Sequence, residues 1–220
     1  MTTKIANILC LVFIAIAVVT AAFFYPSLPD QIPTHWNIEG QVDSTMSKPW
    51  GVIILPLSAI LVFLLMKVIP AISPQGFRTE QFTGVLNIFT VALVGFMSGV
   101  ALLVLLEASG RNVYINDMIF GGVGLLFIVM GSYLGKVRKN FFLGIRTPWT
   151  LASDEVWNRT HRFGGRVFVL IGFFLLLNAF VRFPVRWLLG AIIVAALVPV
   201  IYSYFLYRKV EGFTPDGSSE

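Results

Sequence analysis

Six long apolar runs constrain the fold of this chain more than any other feature of its sequence. Each approaches the roughly 20 residues that an α-helix needs to cross the hydrocarbon core of a bilayer. The runs fall at about 5–24, 51–69, 82–106, 118–135, 166–181 and 187–207. Charged residues make up only 12% of the 220 residues, which is too little to cover the surface of a soluble protein of this size. The sequence therefore predicts an all-α, polytopic membrane protein with six transmembrane helices.

Lysine and arginine are distributed unequally between the loops that alternate along the chain. Loops on one side carry 4 of the 16, namely Lys48, Arg111, Arg182 and Arg186. The other 12 are Lys4, Lys67, Arg78, Lys136, Arg138, Lys139, Arg146, Arg159, Arg162, Arg166, Arg208 and Lys209. Because basic loops are retained in the cytoplasm, we expect both termini and the loop 136–166 to be cytoplasmic. The loop 26–50 is then expected outside the cell membrane.

The interiors of the six runs lack Asp, Glu, Lys, Arg and His near their middles. Ion-coupled transporters and proton pumps usually need such groups at depth, so a self-contained pump is not expected. Two small-x-x-x-small pairs, Gly95 with Gly99 and Gly131 with Gly135, predict close helix contacts. The sequence has no zinc-type spacing of Cys and His and no Gly-rich phosphate loop, and we expect neither a metal nor a cofactor. The net charge of +5 indicates contact with membrane lipid and not direct binding of nucleic acid.

The loop 26–50 combines turn-forming, aromatic and acidic residues. Its prolines favour extended backbone over helix: Pro26, Pro29 and Pro33. Its charged residues give a net charge of −2: Asp30, Glu39, Asp43 and Lys48. Such a surface fits a cationic or amphipathic peptide, because complementary charge steers the encounter and Trp36 can anchor it. His35 supplies one imidazole among scattered carboxylates, which is a weak basis for a metal site.

The stretch GIRTPWTLASDEVWNRTHRFGG, residues 144–165, concentrates polar residues in an apolar chain. Pro148 disfavours helix at the residue before it. Ser153 is expected to cap a helix with two acids in its first turn, where the helix dipole favours them. We expect this surface helix to run to about Phe163 and to stop at Gly164-Gly165. On it, we expect Trp157 to stack on His161 one turn later, and Glu155 to pair with Arg159 at i,i+4.

Residue types suited to acid–base or nucleophilic catalysis occur in the same stretch: Thr150, Ser153, Asp154, Glu155 and His161. Asp154 and His161 are two helical turns apart, so that only tertiary packing could pair them. No nucleophile-elbow or metalloprotease motif frames them. A structural or docking role is therefore favoured over catalysis.

Two segments resemble a known family of bacterial membrane proteins. GIRTPWTL through SDEVWNRTHRFGG is similar to the signature of the SdpI family, and PDQIPTHWNIEGQVDSTMSKPWG resembles the N-terminal module of unknown function that accompanies it. The resemblance implies a six-span immunity protein, not an enzyme, that neutralises a secreted antimicrobial peptide toxin. From the type member of the family, the resemblance also implies that the loaded protein can hold a soluble transcriptional repressor at the membrane, which would link immunity to signal transduction.

The resemblance and the composition together assign two groups of candidate residues. The expected toxin-binding residues are Asp30, Pro33, His35, Trp36, Glu39, Asp43 and Lys48. The expected cytoplasmic motif or docking residues are Gly144, Arg146, Thr147, Pro148, Thr150, Asp154, Trp157, His161, Arg162 and Gly164. The expected modules are residues 1–75, residues 76–210 and a polar tail, 211–220. Three hypotheses stay open: immunity with signalling, immunity in which the motif only clamps two helices, and a membrane enzyme or small-molecule transporter that uses His35 or His161.

Overall fold

The computed structural model describes residues 1–73, 82–111 and 113–213. Within these ranges, six helices are long and apolar enough to cross a membrane. They are α1 (Thr3–Phe24), α2 (Lys48–Val68), α3 (Thr83–Ala108), α4 (Ile115–Leu134), α6 (Asp154–Val181) and α7 (Val185–Val210). A short helix, α5 (Pro148–Ala152), precedes α6, and two strands, β1 (Gln31–Trp36) and β2 (Val42–Ser47), lie between α1 and α2. The predicted helical fold with six spans is confirmed.

The connections between helices gather at two ends of the bundle. At one end, which we call the hairpin end, the side chain of Asn116 at the start of α4 donates to the backbone of Asn37, 3.1 Å away, in the turn between β1 and β2. At the other, the motif end, Asn87 of α3 donates to Thr3 Oγ1 at 3.1 Å, and Lys67 of α2 contacts Asn7 of α1. The alternation expected from the sequence is thus present in the packing. Which end faces the cytoplasm stays a prediction.

Helices α4 and α6 approach each other at two pairs of glycines. A Cβ built on Gly131 would lie 2.6 Å from the carbonyl oxygen of Gly165, and one on Gly124 would lie 2.6 Å from that of Gly172. Both contacts are reciprocal, since Cβ atoms on Gly165 and Gly172 would meet the facing carbonyls at 2.6 and 2.7 Å. Seven residues, or two helical turns, separate the glycines on each helix. Backbone therefore packs against backbone, which favours helix association in lipid.

The prediction that Gly164-Gly165 ends the helix is wrong. Helix α6 is continuous from Asp154 to Val181, 28 residues or about 42 Å, and includes what the sequence divided into a surface helix and a short fifth span. Neither glycine adopts the positive φ of a helix terminus in the described chain. Gly165 contacts Gly131, and a Cβ on Gly164 would lie 2.5 Å from Ile145 Cδ1. Both glycines serve close packing inside a helix.

Small residues also line the buried face of α1. Ala6, Cys10, Ala17 and Ala21 are buried, whereas the opposite face exposes large apolar side chains, as expected for a lipid-facing surface. Of the predicted pair on α3, Gly95 makes the expected contact, with its Cβ position 3.2 Å from the Phe13 ring.

Gly99 does not make the expected contact. Among the described residues nothing lies within 4 Å of its Cβ position. It lines an apolar cavity of about 540 Å³ between α3 and α4 instead. Leu103 and Leu126 are among the other residues that line this cavity.

The loop 26–50 folds into an antiparallel β-hairpin that the sequence described only as extended backbone with a turn. The register pairs Gln31 with Ser47 and Trp36 with Val42, with irregularities around His35. Asn37 Oδ1 accepts hydrogen bonds from the backbone of residues 39 and 41 at 3.0 and 2.8 Å, and Gly40 takes a φ of +80°. Ile32 is fully buried against Gly51 of α2, so the hairpin is fixed to the bundle.

The expected module boundary at 75/76, the position of Arg78 and the tail beyond residue 213 lie outside the described residues. The division into modules stays a prediction. Helix α3, assigned to the second module, packs on α1 and α2 as well as on α4.

Candidate functional site

The segment between α4 and α5 is organised by a buried asparagine that the sequence did not single out. Asn140 is inaccessible to solvent. Its Oδ1 accepts from the backbone N–H groups of Phe142 and Leu143 at 2.8 and 2.7 Å, and its Nδ2 donates to the carbonyls of Arg138 and Leu143 at 2.8 and 3.1 Å. All four hydrogen-bonding positions of one amide thus fold the chain back toward α6. Asn is common in turns, so an Asn at position 140 is only a weak indication in the sequence that its side chain organises the whole segment.

Gly144 is required at its position for two reasons. Its φ is +108°, a conformation that side chains strongly disfavour. A Cβ on it would also lie 2.3 Å from His161 Nε2, which leaves no room for any other residue. The next residue, Ile145, donates its backbone N–H to the same His161 Nε2 at 3.0 Å. The backbone at Gly144 and Ile145 therefore packs directly against the Nε2 edge of the His161 ring.

His161 and Trp157 form the centre of the motif end. Their rings stack at 4.0 Å with an angle of 21° between the planes, which confirms the predicted stacking. His161 Nδ1 lies 2.8 Å from the Trp157 carbonyl, and Trp157 Nε1 donates to the Val137 carbonyl at 2.8 Å. Since Nε2 accepts a backbone proton, Nδ1 carries the ring hydrogen and the imidazole is neutral. Both side chains are buried, and together they tie α6 to the segment after α4.

A pair of threonines links α5 to α7. Thr147 caps α5 and accepts from the backbone of Thr150 at 3.1 Å, while the backbone of Thr147 donates to Thr150 Oγ1 at 2.9 Å, which completes a capping box. Thr147 Oγ1 lies 3.1 Å from Ser203 Oγ of α7. Thr150 Oγ1 also donates to the Ile145 carbonyl at 2.8 Å. The hydroxyls are thus engaged in holding α5 and α7 together.

The ten predicted motif residues separate into two sets. Gly144, Thr147, Thr150, Trp157, His161 and Gly164 make the close contacts that join the segment to α6 and α7. Pro148, Arg146, Asp154 and Arg162 have exposed side chains. Arg146 contacts the Phe141 carbonyl, and Asp154 forms an ion pair with Lys139. A soluble partner could touch the second set directly, whereas in the first set only Gly144 is exposed and the other five residues are buried.

The catalytic arrangement weighed from the sequence does not form. Asp154 is 76% exposed and pairs with Lys139, and His161 makes its two hydrogen bonds to backbone groups. As predicted, Ser153 caps α6, and Glu155 pairs with Arg159 at 3.0 Å. Within residues 1–73, 82–111 and 113–213, His, Cys, Asp and Glu form no group of three or more that could hold a metal ion. The motif end is a packed junction.

The seven predicted toxin-binding residues lie in the hairpin or directly beside it, and four of them belong to its base. Lys48 donates to the Leu28 carbonyl at 2.8 Å, and its backbone donates to the Asp30 carbonyl at 2.8 Å. Trp36 is half-buried in a cluster with α3. Pro33 is half-buried within β1. These contacts fix the base of the hairpin to the bundle.

The outer part of the hairpin is open to solvent. His35 Nδ1 and Asp43 Oδ1 are 2.6 Å apart, with the two side chains 68% and 43% exposed. Glu39 is exposed in the turn beside Ile38, which is itself 65% exposed. The hairpin therefore presents acidic and apolar side chains together.

Comparison with known proteins finds two family regions in the chain. Residues 136–203, which include the whole motif segment, match the SdpI/YfhL protein family. Residues 12–60, which include the hairpin, match a domain of unknown function (DUF1648). The chain is also 26% identical over 208 residues to "Immunity protein SdpI" of Bacillus subtilis (strain 168), with 94% of this chain and 98% of that protein covered. No solved structure matches. The resemblance inferred from the two motifs is confirmed. The predicted location, as a multi-pass protein of the cell membrane, is confirmed as well.

Proposed function

We propose that this chain, a membrane protein of the SdpI/YfhL family, is an immunity protein that protects the cell from a secreted antimicrobial peptide toxin. The observation that carries the proposal is the end-to-end similarity to a protein named as an immunity protein, which covers 94% of this chain and 98% of that relative. The aligned 208 residues cover 94% of this chain, so that the alignment is not confined to one of the two family regions.

The proposal assigns toxin capture to the hairpin end. Asp43, Glu39 and the neighbouring Ile38 are exposed there, and the loop carries a net negative charge. A cationic, amphipathic peptide complements this surface, because its charges are steered by the acids and its apolar face packs on the exposed aliphatic groups. The excess of lysine and arginine at the motif end supports an orientation with the hairpin outside the cell and both termini in the cytoplasm.

The proposal gives the motif end a structural role first. Six of its ten motif residues are used in contacts between the segment 136–153, α6 and α7. Any capture of a soluble transcriptional repressor would therefore use the exposed side chains of Arg146, Asp154 and Arg162. R146Q/R162Q separates the two immunity hypotheses. Loss of repressor recruitment with intact protection against the toxin indicates that the motif docks the repressor. Unchanged recruitment indicates that the motif only clamps the helices.

Expression in a toxin-sensitive strain tests the immunity itself. Cells that carry this chain should survive a peptide concentration that kills cells with an empty vector. A matched control carries Trp157→Ala, which we expect to lose the folded protein from the membrane. Unchanged killing with wild-type protein present in the membrane fraction, across peptides from strains that produce such toxins, would refute the proposal.

A further inference from the structure

An open cleft at the motif end lies between α4 and α6. It has a volume of about 660 Å³ and combines small residues, three basic side chains and two apolar ones. The basic side chains are Lys136, Arg162 and Arg166, all of them exposed. The cleft is separate from the buried contacts of His161 and Trp157 and has no part in the proposed toxin capture.

The glycine packing of α4 and α6 produces this cleft. Because Gly131 and Gly165 bring the two backbones into contact, the groove beside them is shallow and free of intervening side chains. A Cβ on Gly135 would lie 3.1 Å from Arg162 Cγ, so the missing side chain lets the arginine stem lie over α4. Arg166 follows one helical turn after Arg162 and projects from the same side. Lys136 Nζ stands 4.9 Å from the centre of the Tyr133 ring.

The three cations of the cleft have no carboxylate partner within the described ranges of the chain. The ion pairs at this end of the described protein join Lys139 to Asp154 and Arg159 to Glu155. The acids near α6 are thus matched with cations outside the cleft. Three positive charges stay uncompensated side by side, which is unfavourable unless an anion or solvent screens them.

The cleft also lies where the apolar parts of both helices begin. Arg166 is the last charged residue of α6 before the uncharged stretch 167–181, and α4 is uncharged from residue 118 up to Lys136. Below the cations the cleft continues over Val169 and Leu170, and Leu170 is 70% exposed. Its ligand must therefore combine an anionic group with an apolar portion at the level of the lipid headgroups.

We propose that this cleft binds the phosphate headgroup of an anionic lipid, with an acyl chain along Val169 and Leu170. Two arginines one turn apart supply the forked donors that match phosphate oxygens, and a lysine adds a point charge. Basic recesses between transmembrane helices are suited to this class of ligand. The bound lipid would fill the groove that the glycine contact leaves open and neutralise its charge.

Competitive lipid retention tests the proposal. The full chain is purified into mixed micelles with equal amounts of phosphatidylglycerol and phosphatidylcholine, and the bound lipid is quantified by native mass spectrometry. We expect retention of phosphatidylglycerol over phosphatidylcholine. Each cation removed should weaken retention roughly fivefold, so that R162Q/R166Q loses roughly 25-fold. K136Q, which removes one cation and leaves α6 unchanged, should lose roughly fivefold and provides a second reading if the double variant folds poorly.

The matched control is R208Q/K209Q, which removes two charges from the last turn of α7 at the same end of the protein. It should retain lipid as the wild type does. Equal losses in the control and in R162Q/R166Q, or unchanged retention in R162Q/R166Q and K136Q, would overturn the site. A further arm adds inorganic phosphate, and displacement of phosphatidylglycerol by millimolar phosphate would assign the site to the free anion and overturn the lipid proposal.

Discussion

The two ends of the bundle use the same residue types in opposite ways. At the motif end, His161 and Trp157 are stacked, buried and hydrogen-bonded to backbone carbonyls and N–H groups. At the hairpin end, the His35 side chain is 68% exposed and its ring contacts Asp43. A concentration of polar and aromatic residues can therefore bind a partner only where the fold leaves those side chains accessible. The two histidines show this directly, because His161 is fully buried and His35 is open to solvent.

Replacing a buried tryptophan should give the largest effect. Trp157→Ala removes a fully buried ring together with its hydrogen bond to Val137, and we expect a loss of about 3–5 kcal/mol in the free energy of unfolding. The protein should be depleted from the membrane fraction. Trp50→Ala is the matched control, since Trp50 is 67% exposed and should leave abundance nearly unchanged. Similar abundance of both variants would contradict a packed junction at the motif end.

Replacing each of the two histidines should affect stability very differently at the two ends of the bundle. His161→Ala removes the acceptor of the Ile145 N–H and the ring stacked on Trp157, and should cost about 2–4 kcal/mol. His35→Ala removes an exposed ring, and should change stability by less than about 0.5 kcal/mol. Thermal unfolding of both purified variants in the same detergent measures this difference. A destabilisation by His35→Ala as large as that by His161→Ala would remove the distinction between the two ends.

A smaller effect is expected at the cap of α5. Thr147→Ala loses the side chain that accepts from Thr150 and contacts Ser203, and should cost about 1–2 kcal/mol. Thr34→Ala is the control, because the exposed Thr34 side chain contacts Ser44 at 3.5 Å on the surface of the hairpin. If both threonine variants unfold at the wild-type temperature, the link between α5 and α7 contributes nothing to the fold.

The six spanning helices could be predicted because crossing a bilayer is a local property of composition. The continuous course of α6 could not be predicted, because a Gly-Gly pair such as Gly164-Gly165 is equally compatible with the end of a helix and with close packing against another backbone. The contact with Gly131 decides between these, and it depends on tertiary structure. A seven-residue spacing of glycines on two helices was the available signal, as Gly124 with Gly131 and Gly165 with Gly172 show.

Some local contacts of the motif segment could be predicted from the sequence, but its tertiary packing could not. The stacking of Trp157 on His161 and the Ser153 cap follow from helix geometry and were correctly predicted. The burial of His161 depends on a segment that folds back from α4, and that segment is held by Asn140, which looks like an ordinary loop residue. The sequence alone does not tell which polar residues of this segment are buried, because their burial depends on how the neighbouring helices pack around them.

Survival of cells challenged with toxin most directly tests the claim that the hairpin is the working surface and the motif end its support. E39Q/D43N removes two exposed acids while leaving the hairpin backbone intact, and R146Q removes an exposed charge at the motif end. We predict that E39Q/D43N reaches wild-type abundance in the membrane but loses protection several-fold, because steering of a cationic peptide is weakened. R146Q should protect as the wild type does. Full protection by E39Q/D43N at equal abundance would contradict the account.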